Sequence, residues 1–74
     1  PKKLEDAVIA SYNGGAGNLW RSLNSSGNRK QAIARINKMT TREFYWFLTN
    51  RHIRSETRDY VRKVRARISK YEAL

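Results

Sequence analysis

Seventy-four residues with no cysteine and a single histidine leave room for one domain at most, and exclude a disulfide framework or a zinc cluster as its source of stability. Sixteen Lys and Arg against six Asp and Glu give a formal net charge of +10, which points to a polyanionic partner: nucleic acid, an anionic membrane or an acidic cell-wall polymer. No stretch approaches the roughly 20 apolar residues of a membrane span, and Pro1-Lys2-Lys3-Leu4-Glu5-Asp6 has neither the apolar core nor the small-residue cleavage site of a signal peptide.

The apolar spacing predicts a first helix over about Lys3–Asn13, with Leu4, Ala7, Val8, Ser11 and Tyr12 on its inward stripe. Gly14-Gly15 ends it, because glycine takes the left-handed conformation at a helix C-terminus. A short second helix, about Ala16–Leu23, offers Leu19, Trp20 and Leu23, and the polar run Asn24-Ser25-Ser26-Gly27-Asn28 is a loop. The third helix, from Arg29 to about Lys38, turns Ile33, Ile36 and Ala32 inward. Thr40 then reads as an N-cap with Glu43 as its capping-box partner, opening a fourth helix that carries Phe44, Tyr45, Phe47 and Leu48. Ser55 is the next N-cap candidate, ahead of the longest helix, about Glu56–Tyr71, with Tyr60, Val61, Val64, Ile68 and Tyr71 on one stripe. The fold class is all-α: a small bundle of four to five helices joined by short connections.

The richest segment is Ala10-Ser11-Tyr12-Asn13-Gly14-Gly15-Ala16-Gly17-Asn18. Glycines after an amphipathic helix let the backbone turn sharply and pass close to another group. The Asn13 amide both donates and accepts, and Tyr12 pairs an aromatic face with a hydroxyl. Such groups suit a sugar, through stacking and directional hydrogen bonds. The same spacing also describes a glycine-rich helix–helix corner with Tyr12 in the core.

Ser-Tyr-Asn-Gly-Gly-Ala-Gly-Asn at positions 11–18 is similar to the Ala-Tyr-Asn-(Ala/Gly)-Gly motif of lytic transglycosylases with the goose-lysozyme-like fold. Ser55-Glu56-Thr57-Arg58-Asp59-Tyr60-Val61 resembles that family's later Glu-Thr-Arg-x-Tyr-Val motif. The two occur in the family's order, and Asn37-Lys38-Met39-Thr40 and Leu48-Thr49-Asn50-Arg51-His52 are similar to its membrane-bound murein transglycosylase C subgroup. The resemblance implies that residues 1–74 are the C-terminal portion of one lysozyme-like transglycosylase domain. It implies a bacterial cell-envelope location, periplasmic or outer-membrane-associated, and peptidoglycan glycan strands as partner. No cofactor and no metal are implied.

In that family one glutamic acid protonates the MurNAc–GlcNAc oxygen and then acts as base on the MurNAc 6-hydroxyl, giving a 1,6-anhydro sugar. Such a carboxyl needs a raised pKa in a partly apolar wall. The family's Glu-Ser and Gly-Leu-Met-Gln motifs precede the Tyr-Asn motif and are not in this sequence. Glu5, Glu43, Glu56 and Glu72 have no Glu-Ser context, so no catalytic acid is assigned and the 74 residues alone are expected to be inactive. By carry-over, Tyr12 and Asn13 line the sugar groove, Gly14 and Gly15 admit the glycan close to the backbone, and Tyr60 aims its hydroxyl at the catalytic carboxylate or an acetamido group. Read without the family, Tyr60 simply packs on the apolar stripe of its helix. His52 reads as a loop or surface histidine, and of Trp20, Tyr45, Trp46 and Phe47 it is Trp46 that is expected to be exposed.

Two further expectations follow. The alternative reading is a small basic nucleic-acid-binding module that contacts phosphates through Arg58, Arg62, Lys63, Arg65, Arg67 and Lys70. Half of a helical domain also leaves an apolar face uncovered, so self-association of the fragment is expected.

Overall fold

Amphipathic periodicity alone places the helices well. The computed structural model describes all 74 residues, as α1 (Lys2–Gly14), α2 (Ala16–Leu23), α3 (Arg29–Asn37), α4 (Thr41–Asn50) and α5 (Ser55–Glu72), with no strand. Side-chain caps fix two of the starts. Asn28 accepts from the Gln31 N–H ahead of α3. Thr40 accepts from the Glu43 N–H while Glu43 accepts from the Thr40 N–H, the full capping box expected ahead of α4.

Ser55 is not a cap. It is the first residue of α5, whose N-cap is Arg54 without a side-chain cap bond. The α5 start is held instead from outside the helix, since Arg58 donates to the carbonyl of His52 and Arg54 pairs with Glu56 at 2.8 Å.

α1 and α5 run antiparallel, as the pairs Asn13–Thr57 and Asp6–Arg65 show, with α4 against both and α2 bridging α1 to α3. The core gathers Ala10, Leu19, Leu23, Ala32, Ile36, Phe44, Phe47, Leu48 and Val61. Phe44 and Leu48, one turn apart on α4, are fully buried, so the densely apolar fourth helix forms the centre of the molecule. Burial of a side chain of this size stabilises by about 1.5–3 kcal/mol.

The inward face of α1 differs from the expected one. Leu4 and Val8 are 63% and 59% exposed, whereas Asp6, Ala10 and Gly14 are buried. Small residues let α1 approach α2, α4 and α5 closely, and a buried ion pair from Asp6 to Arg65 replaces an apolar contact. Tyr71, expected on the stripe of α5, is exposed, because the last turn of α5 extends beyond its neighbours.

Candidate functional site

The glycine-rich segment is the corner between α1 and α2. Gly15 sits at φ 82°, ψ 146°, a conformation that side-chain-bearing residues rarely adopt. Its N–H donates to the Ser11 carbonyl at 2.8 Å and its carbonyl accepts from Leu19 N–H. The Asn18 amide closes the corner by donating to the Gly14 carbonyl at 2.8 Å. One residue therefore ends α1 and starts α2, which sets Tyr12 and Asn13 in the last turn of a rigid helix.

The two motifs meet here. The Thr57 hydroxyl donates to Asn13 Oδ1 at 2.8 Å across a separation of 44 residues. Gly14 is buried against this joint: a Cβ there would lie 2.5 Å from Thr57 Oγ1 and 3.2 Å from His52 Cε1. Its bare face is thus filled by protein. Gly15, by contrast, is exposed, with open space where a Cβ would stand, and is the glycine that leaves backbone accessible from outside.

Tyr12 is 85% exposed, which removes the alternative that places it in the core. It lies half a helical turn around α1 from Lys3, whose ammonium caps the Ile36 and Met39 carbonyls, so Tyr12 faces away from the α3–α4 corner. Tyr60 is half-buried and one turn beyond Thr57. Arg58 and Arg62 reach the His52 and Thr49 carbonyls at the end of α4, and helical geometry puts Tyr60 on the opposite flank of α5 from both. Asn13 is tied to α5 through Thr57, while Tyr60 lies on the flank of α5 turned away from the end of α4.

Sequence reasoning missed Thr57 and His52. Thr57 is buried and stands at i, i+4, i+7 and i+11 with Val61, Val64 and Ile68, so the stripe of α5 starts one turn earlier than its aliphatic residues suggest. His52 is fully buried, which overturns the expectation of a surface histidine: the chain between α4 and α5 folds over Gly14 and Thr57 and carries the imidazole inward. Its Nδ1 accepts from the Arg54 N–H at 3.1 Å, and its Nε2 has no partner. Burial lowers its pKa below the ordinary 6.5, and the charges of Arg58 and Arg54 act in the same direction.

The carboxylates around this corner are committed elsewhere. All four glutamates are exposed: Glu5 pairs with Arg65, Glu56 with Arg54 and Glu72 with Lys2, while Glu43 completes its capping box. The one buried carboxylate, Asp6, is held by Arg65. None sits unpaired in an apolar wall. No three His, Cys, Asp or Glu side chains cluster as a metal site would require.

The basic face of α5 is also partly spent. Arg58 and Arg62 serve backbone carbonyls and Arg65 holds Asp6 and Glu5. Of the six cations named for phosphate contact, only Lys63, Arg67 and Lys70 are unengaged.

Comparison with known proteins bears on the same residues. The chain is 42% identical over 64 residues to the membrane-bound lytic murein transglycosylase C of Cronobacter sakazakii, covering 86% of this chain and 17% of that protein. It is 38% identical over 71 residues to the protein of that name from Pectobacterium atrosepticum, covering 96% and 19%. For the one from Photorhabdus laumondii the values are 45% over 58 residues, 78% and 16%. The chain thus spans less than a fifth of the length of these curated relatives, and the resemblance carried by the two motifs extends over most of its own length. No family model and no solved structure matches.

Proposed function

We propose that this chain, similar over most of its length to membrane-bound lytic murein transglycosylases C, is the groove-lining C-terminal portion of a lysozyme-like peptidoglycan lytic transglycosylase domain. The domain cleaves the MurNAc–GlcNAc bond without water and leaves 1,6-anhydro-MurNAc ends. Tyr12, Asn13, Gly15 and Tyr60 contact the glycan, with Gly14 shaping the wall that holds them. The observation that carries the reading is the Thr57–Asn13 hydrogen bond, which joins the Tyr-Asn-Gly-Gly motif to the Glu-Thr-Arg-Asp-Tyr motif.

Each role follows from chemistry at the corner. Tyr12 offers an exposed ring for stacking. The Thr57 hydroxyl fixes Asn13 Oδ1 and so orients the amide NH2 as a donor toward an acetamido or hydroxyl oxygen. Gly15 leaves backbone open to a sugar ring. Tyr60 supplies a phenolic hydroxyl from α5. The general acid comes from polypeptide outside these residues, a reading supported by the absence of any carboxyl here in an apolar wall. The exposed Leu4 and Val8 pair is the face such polypeptide would cover, and in its absence a second copy covers it.

A cell-envelope location follows for the parent protein, in keeping with the names of its relatives. No helix here is long and apolar enough to cross a membrane. The +10 charge complements the carboxylates of peptide-bearing glycans.

The test is reconstitution. Mixed with the acid-bearing segment of a relative, the chain is expected to release anhydro-muropeptides from purified peptidoglycan. Asn13→Ala should lower that rate by about 10- to 100-fold, an effect of the size expected for a lost positioning hydrogen bond. A properly folded reconstituted domain that releases no anhydro product would overturn the assignment.

A further inference from the structure

A second surface combines an aromatic platform, an unpaired cation and an orientated amide. Arg42, Trp46 and Asn50 stand four residues apart along α4 and line one open groove of about 620 Å³ together with Tyr45 from α4, Lys2 from α1 and Ser69 from α5. The volume falls within the roughly 300–1,000 Å³ of small-ligand sites, enough for a disaccharide-sized unit. At 1.5 Å per residue, the seven-residue step from Asp6 on its floor to Asn13 is about 10 Å along α1. The groove is therefore separate from the glycine corner.

Its chemistry is specific. Trp46 is 54% exposed although the Arg51 guanidinium lies over the ring, 5.7 Å from its centroid, so indole surface remains for a ligand. Asn50 donates to the Trp46 carbonyl at 2.9 Å and to Thr49 Oγ1 at 3.2 Å. That fixes the amide and leaves Oδ1 as an oriented acceptor. Arg42 makes no ion pair and also lines the neighbouring groove on the other side of Trp46. Asp6 and the Arg65 that neutralises it form the floor.

We propose that this groove is a second saccharide site, which binds an N-acetylated amino sugar bearing a carboxylate. The sugar ring stacks on Trp46, Asn50 Oδ1 accepts from an acetamido N–H, and Arg42 takes the carboxylate. A polyphosphate fits less well: strand binding needs successive stacking rings along a track of cations, whereas this groove has one open indole, and a carboxylate in its floor. The inference rests on the reading of the chain as a peptidoglycan-contacting segment, and adds a contact about 10 Å along α1 from the glycine corner, suited to holding a neighbouring part of the wall.

The two tryptophans report the two faces separately. Trp46 faces the α4 groove, and Trp20 shares a shallow surface with Tyr12. In 15N-labelled protein, titration with the GlcNAc–MurNAc disaccharide is expected to shift the Trp46 indole N–H saturably. Neutral chitobiose should bind there about 10-fold more weakly, and Arg42→Ala should reduce the acidic sugar to the level of the neutral one, the size expected for a charge-assisted hydrogen bond. Trp46→Ala should abolish the chitobiose response in neighbouring Asn50. A Trp46 signal that stays fixed while Gly15 and Trp20 respond would overturn the second site and leave the proposed function standing. A shift at Trp46 with Gly15 and Trp20 silent would support the second site and count against the glycine corner. Tighter, salt-sensitive binding of an oligonucleotide at Trp46 would overturn the saccharide assignment.

Discussion

Gly14 and His52 share one crowded spot, and both lead to measurable behaviour. A methyl group at position 14 would lie 2.5 Å from Thr57 Oγ1, so Gly14→Ala must rotate Thr57 and break its bond to Asn13, at a cost of about 1–3 kcal/mol. Thr57→Ala creates room for that methyl, so the double variant should be more stable than the sum of the two single losses predicts, as read by urea denaturation. Strict additivity would mean that Gly14 and Thr57 do not touch in solution. His52 sets a pH dependence. Its folded pKa is depressed by burial, so the unfolded chain binds the proton more readily. Its contribution is full above the unfolded value of about 6.5 and is lost as pH falls from there through the folded value. Protonation at Nδ1 would also break the bond from Arg54 N–H. Thermal melts between about pH 7.5 and 5.5 should show falling stability, and His52→Leu should flatten the trend; an unchanged slope in that variant would assign the dependence to other groups.

At the scale of elements, the α1–α5 pair combines a small-residue contact with one buried ion pair. Asp6 is 1% exposed and takes a 2.9 Å hydrogen bond from Arg65 Nε. Burial alone would lower the Arg65 pKa, but hydrogen bonding and charge from Asp6, assisted by Glu5, more than offset this and raise it. Asp6→Ala leaves that guanidinium without its main partner and should cost about 3–5 kcal/mol. For a chain of this length, whose whole stability is of the order of 4–11 kcal/mol at 0.05–0.15 kcal/mol per residue, this approaches unfolding. Replacement of both partners, Asp6→Leu with Arg65→Met, should recover most of the loss in chemical denaturation. A double variant no better than Asp6→Ala would show that the pair also fixes the register of the two helices.

The whole molecule is elongated, 41 × 24 × 17 Å, and α1, although packed on α2, α4 and α5, turns Leu4 and Val8 outward. Exposed Leu4 and Val8 stand one turn apart on α1 and present an apolar face of the kind that promotes association. Sedimentation velocity should therefore show concentration-dependent association, and Val8→Lys, which leaves the core untouched, should shift the protein to monomer. A wild-type chain that remains monomeric at the highest soluble concentration would remove this face as a contact surface.

The sequence by itself determined the kind of elements and, to within one helix, their number. Period-3.6 apolar spacing, the Thr40–Glu43 box and the glycine corner are local signals, and local signals fix where helices start and stop. It also drew attention to Tyr12, Asn13 and Tyr60 through two short motifs, and singled out Trp46 among Trp20, Tyr45, Trp46 and Phe47 as the exposed one. Only the tertiary structure decided which face of each helix is inside. The most apolar stripe of α1 lies outside and Asp6 inside, because burial is set by which neighbours a face meets, and Arg65 is 59 residues away. The same holds for His52 and Thr57: nothing within a few residues of either reveals that Gly14, from another helix, leaves the space that they fill.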